Sequence, residues 1–184
     1  MKSIFVITGF LLSSIIGFIM PNTCDDPQIS RGEQLVNEIL NTTARIIKKK
    51  YDITPCGEGA SMPGGPIRKL TLCFDTKKPY TKEELRKLLV KCANELLDQV
   101  NTNTEIQTYL YEKPFTIRNI QIIIYNLDVN GREVCDPDIS VGEISRDELM
   151  YQSVDPANTF RYKSQYRETY EEALQVIQMD SKGS

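Results

Sequence analysis

Ser61 is the residue that first invites a chemical reading. It stands in the run Gly59-Ala60-Ser61-Met62-Pro63. A serine nucleophile sits on a G-x-S-x-G elbow and needs a base beside it. Here the second glycine is missing, no lysine follows at S-x-x-K spacing, and the chain contains no histidine. That absence removes Ser-His-Asp and Cys-His nucleophilic pairs, His-ligated zinc and imidazole pH switching together.

The segment around Ser61, Cys56 to Pro66, carries four glycines and two prolines in eleven residues. Such a composition is expected to make a loop. A phosphate cradle requires a strand, then glycines, then a helix N-terminus, and usually G-K-[ST]. Here the expected order is helix, loop, strand, so a structural loop is the preferred reading. Its exposed positions Gly57, Gly59, Ser61, Met62, Gly64 and Gly65 are candidate contact residues.

Acidic residues offer two further candidates. Asp128-Val129-Asn130-Gly131, with Glu133, Asp136 and Asp138, resembles part of a calcium loop, but the glycine arrives two positions early for D-x-[DN]-x-[DN]-G. A hairpin turn accounts for Asn130-Gly131. Glu168, Glu171 and Glu172 can be cast as the paired acids of a glycosidase. Near the start of a helix they are more simply dipole complements on a surface. No metal or cofactor is expected.

The five cysteines are Cys24, Cys56, Cys73, Cys92 and Cys135, with no C-x-x-C among them. A redox pair of that kind and a zinc ribbon are therefore unsupported. Cys92 falls on an apolar helix face. Cys56 and Cys135, both placed in loops, are the expected disulfide partners.

These residues need elements to hold them. Ser30-x-x-Glu33 is a capping box opening a helix to about residue 51, apolar from Leu35 to Ile47 at helical spacing. Its end carries Lys48-Lys49-Lys50, cations that suit a helix C-terminus. Asn41-Thr42-Thr43 is formally a sequon on the outer face. Residues 67–75 alternate as a strand. Thr81-x-x-Glu84 caps a second helix with Leu85, Leu89, Cys92 and Leu96 inward and Lys82, Glu83, Arg86, Lys87 and Lys91 on a solvated side. Residues 105–112 add a helical turn. Residues 116–127 form a strand apolar on both faces, with Ile120, Ile122 and Ile124 opposite Ile123, Tyr125 and Leu127. Ile123 and Tyr125 are the candidate contact residues of its outer face. Return strands follow at 132–135 with 139–145, and at 148–154. Residues 158–163 read as extended or turn, and a last helix spans about 164–179. Tyr151, Tyr162, Tyr166 and Tyr170 are expected in the core. The tail 180–184 is expected to be disordered.

The fold class is thus α+β, in the order α-β-α-β-β-β-α. A mixed or antiparallel sheet is covered by helices on at least one face. At roughly 100–200 residues per domain, 184 residues make one domain, here residues 30–179.

Before it lies MKSIFVITGFLLSSIIGFIM, residues 1–20, with no charge from Ile4 to Met20. This reads as an export leader or membrane anchor, followed by a tether at 21–29. Three fates stay open: cleavage near residues 17–24, lipidation at Cys24, or retention as an anchor. Lys2 is the only charge before Asp25. The chain beyond it therefore carries 21 basic and 25 acidic residues, a net −4. That balance disfavours nucleic acid as a partner. The sequence points to an exported, non-catalytic bacterial protein, periplasmic, envelope-attached or secreted. It would bind another protein or an envelope component and meet the membrane only through its leader or a lipid. A secreted hydrolase using carboxylates or cysteine without histidine, and an effector acting on a host cell, are the alternatives.

Overall fold

The computed structural model describes residues 30–182, so the leader, the tether and Cys24 lie outside the described residues, as do Gly183 and Ser184. The described chain contains helices α1 (Arg31–Tyr51), α2 (Lys82–Thr102) and α3 (Tyr170–Lys182). Its six strands are β1 (Thr54–Ser61), β2 (Lys69–Asp75), β3 (Ile120–Tyr125), β4 (Val141–Ser145), β5 (Glu148–Asp155) and β6 (Asn158–Thr169). They form one sheet in the order β1-β2-β3-β4-β5-β6. All neighbours are antiparallel except β2 and β3, which run parallel across the α2 crossover. The α+β class and the mixed sheet are therefore present. Among the described residues no helix is long and apolar enough to cross a membrane.

Local chemistry explains the helices. Both expected capping boxes form: Ser30 with Glu33, and Thr81 with Glu84, each satisfying two otherwise orphaned amides. A residue in left-handed conformation, Asp52, ends α1. The three helices share one face of the sheet, α1 over β1 and β2, α2 over β3 and β4, α3 against β5 and β6. Between them lies the core. Leu70, Leu72 and Phe74 of β2 and Ile120, Ile122 and Ile124 of β3 meet Leu35, Leu40, Leu85, Leu89 and Leu96, all buried. Cys92 is buried among them, as expected of a small hydrophobe.

Several expectations are corrected. The segment 56–66 is not a loop throughout, because residues 56–61 belong to β1. An edge strand needs only one ladder of backbone bonds, which glycine supplies as well as any residue, and both prolines fall in the turn. Gly64 (φ +75°) and Gly65 (φ +111°) make that turn, where side-chain-bearing residues would be strained. The last helix begins at Tyr170, not 164. Residues 158–169 instead extend the β5 hairpin, their pairing along β5 outweighing a weak helical pattern. The start of α3 was nevertheless written in the chain. Thr169 and Glu172 exchange side-chain-to-amide bonds of 2.7 and 3.1 Å, a third capping box. Residues 180–182, expected in a disordered tail, complete α3. Of the tyrosines expected in the core, Tyr151 is buried, whereas Tyr162 and Tyr166 are about half exposed, at 48% and 49%.

Candidate functional site

Alternation along the strands separates two faces. Residues facing the helices are buried; those facing away are half-exposed. No described helix covers that second face. Register aligns its side chains in rows across the sheet. The central row reads Gly57, Cys73, Ile123, Glu143, Met150 and Arg167. On one side lies Gly59, Thr71, Gln121, Ser145 and Glu148; on the other, Asp75, Tyr125, Val141, Gln152 and Gln165.

This arrangement unites two groups of candidates more than sixty residues apart in sequence. Gly57, Gly59 and Ser61 of β1 share the open face with Ile123 and Tyr125 of β3. The other loop candidates do not join them. Met62 turns toward the core, and Gly64 and Gly65 stand exposed in the turn, with open space where a side chain would project.

The two ends of the face differ in character. At one end Lys69, Arg146 and Arg167 lie among Glu143 and Glu148 around a shallow depression of about 300 Å³. Lys69 Nζ donates to Ser145 Oγ at 2.9 Å, and Gln121 Nε2 donates to Glu143 Oε1 at 2.6 Å. Burial holds the Lys69 ammonium below the ordinary lysine value. At the other end the exposed Tyr162 and the half-buried Tyr125 stand among Asp75, Gln152 and Gln165, with Val141 buried between them and Ile123 next to them in the central row. Burial raises the Tyr125 phenol, so it stays protonated and able to donate a hydrogen bond.

No group on this face is poised as a nucleophile. Burial, and then a hydrogen bond with Asp75, push the Cys56 thiol up to about 12. Cys73 is raised as well, mainly by burial. Thiolates, not thiols, attack. Neither Ser61 nor Cys56 lines any of the five principal cavities of the described surface. Among the described residues no group of three or more His, Cys, Asp or Glu side chains is arranged to hold a metal ion.

No protein family model, curated protein or solved structure matches this chain.

Two buried polar centres brace the sheet, and neither was evident from the sequence. Arg86, assigned above to the solvated side of α2, is buried. Its Nε and Nη2 donate to the Glu168 carboxylate at 2.8 and 3.0 Å. Tyr151 Oη donates to the same carboxylate at 2.6 Å. Glu168 is thus neither on a helix nor on the surface; β6 carries it beneath α2. Glu171 and Glu172 do lie in the first turn of α3. The second centre is Asn126, fully buried. Its Oδ1 accepts from the Tyr80 amide at 2.8 Å, and its Nδ2 donates to the carbonyls of Tyr80 and Ile139, both at 2.8 Å. One side chain thereby ties the entrance of α2 to the loop before β4. An isolated Asn after an apolar run carries no pattern that would reveal this.

The expected Cys56–Cys135 disulfide is not formed, and all four described cysteines are free. Cys135 bridges to Val154 of β5. At about 4.8 Å per strand, that site is roughly 14 Å or more from β1. A disulfide needs Cα atoms within about 7 Å. The Asp128–Arg132 segment makes the expected turn, with Gly131 at φ +75° and the Asp128 carboxylate accepting from its own loop amides. Those bonds hold the Asp128 carboxyl below its usual range.

Proposed function

We propose that this chain is an exported, non-catalytic binding protein that engages another protein through the open face of its sheet. The observation that carries the reading is the uncovered face itself. It runs across six strands, half-buried over β2 and β3 and exposed along β6, with tyrosines at the Tyr125 end and charged side chains at the Lys69 end. Contact sites combine aromatic anchors with a polar surround in this way, with tyrosine and arginine prominent. The depression of about 300 Å³ at the Lys69 end takes up one part of the face, whereas a protein surface can span the rows. Export enters through the apolar leader and its single early charge, Lys2.

The test places a photo-crosslinking amino acid at Met150 on the open face, and at Glu38 on α1 as a control, in the native cell. The expected result is one discrete adduct from position 150 that is absent from position 38. Ile123→Asp should abolish it while leaving the thermal midpoint within a few degrees. Equal adducts from both positions, or an adduct indifferent to Ile123→Asp, overturn the reading. An intact mass from membrane and soluble fractions reports the fate of the leader and any lipid on Cys24.

A further inference from the structure

Cys56 and Cys73 lie far apart in the chain but meet at the one irregularity of the β1–β2 ladder. Pro55 pairs with Phe74 and Gly57 pairs with Cys73, leaving Cys56 as the extra residue of a bulge. At a bulge two residues of one strand oppose a single residue of its neighbour. The alternation confirms the direction. Thr54 pairs with Asp75 on the open face, Pro55 turns toward the helices, and Cys56 returns to the open face beside Gly57. Cys73 packs against β1, its Cβ 3.5 Å and its Sγ 3.7 Å from where a Cβ at position 57 would stand. The Cys56 thiol also interacts with Asp75, two residues along the same face from Cys73. Cys92 has no such access, being buried on the inner face of α2, and Cys135 is remote.

We propose that Cys56 and Cys73 are a disulfide site, closed by oxidation across the β1 bulge and fastening the edge strand to the sheet. The oxidant is a small-molecule or protein disulfide. The thiolate of one cysteine attacks it, releasing one thiol and leaving a mixed disulfide. The second cysteine then displaces the other thiol. Two protein thiols thus lose two electrons and two protons, and the oxidant is reduced to two thiols. Because both protein thiols are held protonated, closure is slow near neutral pH and accelerates as pH rises. The bridge lies beside Tyr125 and Ile123, so it also sets the border of the proposed contact face. It does not depend on that binding role, since it can be read in vitro from the purified chain alone.

The experiment equilibrates the full chain, purified under reducing conditions, in oxidised glutathione at pH 8, then quenches with N-ethylmaleimide. Peptide mapping should show residues 56 and 73 joined, with Cys92 and Cys135 alkylated after unfolding. The urea midpoint should rise on oxidation and return on reduction. Cys56→Ser and Cys73→Ser should each leave the fold intact by circular dichroism, lose the cross-linked peptide, and lose the oxidation-dependent shift in midpoint. Complete alkylation of Cys56 and Cys73 after oxidation, or a bridge joining Cys56 to Cys24 or Cys135 instead, overturns the proposal.

Discussion

Glu168→Gln is the substitution from which the structure yields the clearest number. The change keeps the volume of the side chain and removes its charge. Arg86 is then left as a buried guanidinium, its side chain only 7% exposed, with no counter-ion; the side chain of Glu168 is 5% exposed. Breaking a buried pair by removing one partner costs about 3–5 kcal/mol. A domain of this size has roughly 5–15 kcal/mol in hand, so a large share is lost. At about 2–4 °C per kcal/mol, the thermal midpoint should fall by roughly 6–20 °C. The triple variant Arg86→Met, Glu168→Leu, Tyr151→Phe removes every polar member at once. It should lie within about 2 kcal/mol of the parent, because paired burial itself contributes little net stability. Thermal and urea unfolding of the three proteins check both statements. A midpoint for Glu168→Gln within about 2 °C of the parent, corresponding to less than about 1 kcal/mol, refutes the reasoning. So does a triple variant as damaged as the single one.

Asn126→Ala strands the amide of Tyr80 and the carbonyl of Ile139, and at about 1–3 kcal/mol per orphaned group urea unfolding should show a loss of about 3 kcal/mol. Arg146 and Asp147 occupy the β4–β5 turn at φ +54° and +71°, a conformation that asparagine tolerates better than arginine. Arg146→Asn should therefore raise stability by about 0.5 kcal/mol, measured as a higher urea midpoint with unchanged m. Tyr151 is held protonated above its ordinary value, chiefly by burial and then by its bond to Glu168. The unfolded chain releases that proton near pH 10 while the folded chain keeps it. Stability should be fully present below that pH and decline above it, and Tyr151→Phe should make the decline shallower in midpoints taken from pH 8 to 11.

Much of this architecture was legible in the residues. The capping boxes at Ser30 and Thr81 put α1 and α2 where they stand, and the alternation of Ile120 to Tyr125 marks β3, although the strand expected over 116–127 is shorter, with Ile117–Asn119 in a 3-10 turn. The failures share a cause: their deciding contacts lie outside the segment. The glycines of β1 read as a loop because they contribute no side chains, yet the ladder to β2 uses only backbone. Residues 164–169 satisfy a helical pattern on their own but meet β5 first. Arg86 sits on the flank of an apolar helix face, where a long stem passes for surface until its partner is known. For the candidate site, Ile123 and Tyr125 were legible as a second apolar face. That β1 would join them was not, because register is a property of the pair of strands.

The strand order repeats the order in which the chain is synthesised, β1 through β6. Each new strand, as it emerges from a ribosome or from a translocation pore, finds its partner at the free margin of what has already assembled. No strand ever has to be threaded between two neighbours that are already joined. Only the β2-to-β3 step, which must wait for α2, brings together residues distant along the chain. A polypeptide delivered end-first into a compartment can therefore build this sheet progressively, and a truncation from the C-terminus should shorten it strand by strand rather than open a gap in its middle.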